Sequence, residues 1–128
     1  MAAEIRLEAN NLEIHLHMMD EILSLHGKFT IPYAHITSVS ADPVPEEWWR
    51  GFHVIGTRLP FLETAGTFHT KEGKIFYDFH NSKHCLTFDV KDEAYVRIIV
   101  EVEKSQDPQV LAKSIALKLA DKNPAAKD

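Results

Sequence analysis

Apolar and polar positions alternate from the first residues onward. Ile5 and Leu7 share one side with Glu4, Arg6 and Glu8 opposite, and Leu12, Ile14 and Leu16 oppose Glu13, His15 and His17. Successive side chains of a strand point to opposite faces, so this period of two predicts two half-buried strands. Ala9-Asn10-Asn11 between them reads as a hairpin turn, because Asn tolerates the left-handed backbone that tight turns require. The period then changes. Met18, Met19, Ile22 and Leu23 recur at helical spacing and Gly27 stands where a helix would stop, which predicts a short helix over 18–26. Residues 28–40 return to strand with Phe29, Ile36 and Val39 as core positions. Pro32, lacking an amide donor, divides that run into two short strands or marks an edge.

Further along, residues 65–70 lead through Lys71-Glu72-Gly73 into 74–80, where Ile75, Tyr77 and Phe79 share a side. Asn81-Ser82-Lys83 turns into 85–90, with Leu86, Phe88 and Val90 aligned. Lys91-Asp92-Glu93 leads into 95–102, where Val96, Ile98, Val100 and Val102 form one apolar face. Turns at this spacing predict an antiparallel meander. The last element is a helix: Asp107 is a capping residue, Pro108 takes the favoured first position, and Leu111, Ile115 and Leu119, with Val110 beside them, make a stripe that needs a sheet to cover. Asn123-Pro124 ends it. The expected unit is a single domain over 1–122 with a flexible tail at 123–128.

Composition narrows the functional classes. The chain has 128 residues with a formal charge of −5, which disfavours a broad nucleic-acid or anionic-membrane surface, since either needs clustered cations. One cysteine, Cys85, excludes an internal disulfide framework and a Cys-rich zinc site. No apolar run approaches the roughly 20 residues that span a bilayer, and the N-terminal stretch lacks the pattern of a signal peptide. A cytoplasmic domain is the expectation.

Many strands followed by one amphipathic helix outline a split barrel. The chain carries FTIPYAHITSV after a Gly-terminated helical stretch, then GTRLPFLETAGTF, GKIFYDF, LTFDVKDEAYVRIIVEVE and an Asp-Pro opening of the last helix. In this order over about residues 4–119 it resembles small uncharacterised bacterial proteins with a pleckstrin-homology-like (PH-like) domain. The resemblance implies a mainly β, α+β architecture: a split barrel of two roughly orthogonal antiparallel sheets, a short helix after the first hairpin and a C-terminal capping helix. It also leads one to look for a Trp in the final helix, and none is present. Phosphoinositide-binding members place Lys and Arg around their first hairpin loop; here that loop is Ala9-Asn10-Asn11 between Glu8 and Glu13, with Arg6 the one nearby cation. No phosphoinositide binding is therefore expected.

Eight histidines invite a metal reading. His15 and His17 share a strand face, and His80 and His84 bracket a turn with Asp78 on the face of His80, which makes Asp78, His80 and His84 the better trio. The competing reading is that these are solvated, outward residues of alternating strands. Cys85 adjoins His84, but neighbours in a strand diverge, so no thiolate–imidazolium pair is expected and Cys85 reads as a small half-buried side chain. Asp89 lies outward beside Thr87 and carries no signal of its own. Motifs for a phosphate loop or a serine or zinc hydrolase are absent from the sequence.

Residues 42–66 stand apart, holding three of the six prolines and three of the five glycines together with Trp48, Trp49, Arg50, Phe52, Arg58, Leu59 and Phe61. Long connections in compact domains tend to be functional or disordered, and so many large apolar residues argue against disorder. Trp and Arg are common interface anchors; the same aromatics could instead plug the open end of a barrel. The expected function is a non-enzymatic binding or scaffolding module that engages a protein partner or itself through residues 46–62, without a cofactor. Strand addition at 85–90 or 28–31 is a related route. Two other classes stay open: a metal-binding protein or metal-dependent enzyme using the surface histidines, and a binder of small apolar ligands.

Overall fold

A computed structural model describes residues 3–16, 28–45, 64–79 and 81–122. The expected helix over 18–26, the tail at 123–128 and the Trp-rich stretch over 46–62 lie outside the described residues. The described chain is mostly β, in two sheets with one C-terminal helix. Strands β1 (Ala3–Leu7), β2 (Asn11–Leu16) and β3 (Lys28–Pro32) form a three-stranded antiparallel sheet in that order. Its register places Ala3 opposite Leu16, Ile5 opposite Ile14 and Leu7 opposite Leu12, so the period-two pattern turns one face inward. The first hairpin closes where expected, with the Glu8 amide donating to the Asn11 carbonyl at 2.9 Å. Its turn does not use a left-handed Asn: among the described residues the non-glycine with positive φ is Asp92, at 56°.

Pro32 ends β3, and a 3-10 turn over Tyr33–His35 carries the chain into β4 (Ile36–Ser40) of the second sheet. The proline therefore divides the run as expected, because it cannot donate to a continuing ladder. Tyr33 fills the corner at 1% exposure and its hydroxyl donates to the Glu8 carbonyl at 2.7 Å. Burial raises the pKa of that phenol.

The second sheet contains β4, β5 (Thr64–Thr70), β6 (Gly73–Phe79), β7 (Cys85–Val90) and β8 (Arg97–Glu101) in the order β4-β7-β8-β6-β5. This departs from the expected meander. The turn at 81–83 does not join paired strands; β8 lies between β6 and β7, antiparallel to β7 and parallel to β6. The physical reason lies in Ile98, Ile99 and Val100, each at most 1% exposed. Three consecutive apolar residues bury both faces of a strand, and a strand buried on both faces belongs at a sheet's centre. For the same reason 85–90 is not an edge: β7 is paired on both sides.

The main core lies between the sheets. Ile5, Leu12, Ile14 and Ile31 meet Phe76, Leu86, Phe88, Ile98 and Val100, and Phe29, Phe76 and Tyr95 contact one another edge-on with centroids 5.0 to 5.9 Å apart. Helix α1 (Pro108–Lys122) adds Ile115 and Leu119 to this core, with Leu111 packed against it. Val110, expected beside that stripe, is 59% exposed: one position before Leu111, the turn of the helix carries it away from the sheet. Asp107 caps the helix as expected, its carboxylate accepting the Gln109 amide at 2.9 Å.

The sheets remain open among the described residues. They meet at an isolated parallel bridge between Ala3 and Val102. Beside it, the Glu103 amide donates to the Ala3 carbonyl, and the Gln106 side chain accepts from the Ile5 amide at 3.0 Å and donates to the Ile5 carbonyl at 3.2 Å. Gln106 thus occupies the outer edge of β1 in place of a further strand.

Candidate functional site

The Trp-rich connection is fixed at both stems. On the leading side, Val44 is 4% exposed and its amide donates to the Ser82 carbonyl at 3.0 Å. On the returning side, Thr64 pairs with Phe79 at the end of β6. Ser82 and Phe79 belong to the same β6–β7 junction, so the chain leaves and re-enters at one end of the five-stranded sheet. Val44 joins Ile75, Phe79, Cys85 and Ile99 in a second apolar cluster on the face turned away from the main core. Ile75, Tyr77 and Phe79 share this face, as their alternation requires, while Val96 packs here rather than with Ile98 and Val100. The binding candidates Trp48, Trp49, Arg50, Phe52, Arg58, Leu59 and Phe61 all fall between the stems, outside the described residues.

The same end of the sheet holds the other candidate chemistry. Asp78 is not an outward, solvated residue: it lies opposite Val100 in β8, is 3% exposed, and its Oδ1 has no hydrogen-bond partner among the described residues. Burial, helped by the negative charge of Glu101, pushes its pKa from the ordinary 3.8 up to about 6. His84 holds a fixed orientation, with Nε2 3.2 Å from the Glu103 carbonyl and 3.1 Å from the Gln106 carbonyl. Both neighbours are acceptors, so Nε2 carries the proton and Nδ1 is the nitrogen left for any other contact. His80, the third member of the expected trio, lies outside the described residues. Among the described residues no three His, Cys, Asp or Glu side chains come together as a metal site. His15, of the other expected pair, bonds Glu13 Oε1 through Nε2 at 2.8 Å, which lowers the Glu13 pKa, and His17 lies outside the described residues.

Cys85 is fully buried at 0% exposure, deeper than its expected half-buried position. Its thiol donates to the Asn81 carbonyl at 3.2 Å, and burial pushes its pKa up to about 12. A thiol held in that form is no nucleophile at neutral pH. A cleft of about 400 Å³ opens nearby between the 83–84 turn and the start of α1, lined by Lys83, His84, Lys104, Asp107 and Gln109. Its lining suits polar rather than apolar ligands. The Asp107 carboxylate already takes the Gln109 amide and Pro108 has no amide to offer, so the helix terminus presents little unspent positive charge to an anion.

One polar group carries more than the sequence signalled. Asp89 accepts from Arg97 Nε at 2.8 Å and from the Ser38 hydroxyl at 2.8 Å, and its main-chain carbonyl accepts from Thr37. It ties β4, β7 and β8 together. Only strand pairing exposes this role, since Arg97 stands directly opposite Asp89 in the β7–β8 register. His35 is a second such case, 2.6 Å from Glu93 across 58 residues of sequence.

Among the described residues no helix is long and apolar enough to cross a membrane. Comparison with known proteins finds no matching family model, no matching curated protein and no matching solved structure.

Proposed function

We propose that this chain is a non-enzymatic binding or scaffolding module of PH-like, split-barrel type that engages a protein partner, or a second copy of itself, through residues 46–62. The observation that carries this reading is the anchoring of both stems, Val44 on Ser82 and Thr64 on Phe79, at one end of the five-stranded sheet. A connection presented from a fixed platform pays less ordering entropy on binding than a free segment, and binding residues favour loops held this way. Trp48, Trp49, Arg50, Phe52, Arg58, Leu59 and Phe61 supply the residue types that dominate interface energetics.

The test is affinity capture from the native organism with mass spectrometry, run beside size-exclusion light scattering of the purified protein. Trp49→Ala and Arg58→Ala are each expected to weaken the association at least tenfold while thermal unfolding stays nearly unchanged. Loss of cooperative unfolding in both variants, or association untouched by either, would overturn the reading.

A second route rests on the edge of β3. The bond from the Tyr33 amide to the Asn10 carbonyl sets the alternation, so that Ile31 and Phe29 turn their main-chain groups to β2 while Lys28 and Thr30 turn theirs away. An extended peptide adding there would be insensitive to Trp49→Ala, which separates the two routes in the same experiment.

A further inference from the structure

We draw no further inference here: the strongest candidate, the apolar cluster of Val44, Ile75, Phe79, Cys85 and Ile99 on the outer face of the five-stranded sheet, carries nothing because nothing among the described residues shows what covers it.

Discussion

Asp78 adds a pH dependence to this fold. Its carboxyl titrates near 6 in the folded chain against 3.8 when unfolded, so between these values the folded state holds a proton that the unfolded state has released. Stability is therefore greatest below about pH 4 as far as this group is concerned, and falls as pH rises through 6. The ionised form costs the fold on the order of 3 kcal/mol at neutral pH. Asp78→Asn is expected to recover about 1–3 kcal/mol at pH 7.5 and almost nothing at pH 4, as read from urea unfolding at the two pH values. Gly73 is a residue of the opposite kind, irreplaceable for its backbone. With φ at 140°, and a Cβ there only 2.6 Å from Val96 Cγ1, Gly73→Ala should destabilise the fold by about 1–3 kcal/mol in the same assay.

At the scale of elements, β1 shows how an edge is closed without another strand. Gln106 meets both main-chain groups of Ile5, and Glu103 meets Ala3. Gln106→Ala should cost about 1–2 kcal/mol and speed hydrogen exchange at the Ile5 amide well beyond the global change. Unchanged exchange at Ile5 would show that the clamp does not protect the edge. Elements whose pattern has a single period were legible in the sequence: the first hairpin from Ile5, Leu7, Leu12 and Ile14, the break at Pro32, and the capped helix from Asp107 to Leu119. Strand order was not. β8 reads as an ordinary one-faced strand if Ile99 is passed over, yet that residue carries its central position. Asp78 escaped for a related reason, since a carboxylate beside a histidine pattern signals solvent, and only the pairing with Val100 turns it inward.

At the scale of the molecule, the described residues form two apolar layers of unequal size on either side of one sheet. Burial on both faces makes β8 costly to perturb: Ile99→Ala should lose about 2–5 kcal/mol, whereas Leu117→Ala, at 73% exposure on the helix, should change stability by less than about 0.5 kcal/mol. Comparable losses in the two variants, measured by thermal or urea unfolding, would contradict this division. The candidate site was legible only as a list of residue types between prolines. That its two stems converge depends on the long-range contact of Val44 with Ser82, which no local pattern encodes.

Placing β8 between β6 and β7 also imposes a timetable. During vectorial synthesis on the ribosome, β6 and β7 emerge with no partner for their facing edges until Arg97–Glu101 follows. The larger sheet therefore cannot be completed until its middle member has been made, and a nascent chain halted before that point leaves two strand edges with unpaired N–H and C=O groups open to whatever chaperone stands at the exit tunnel.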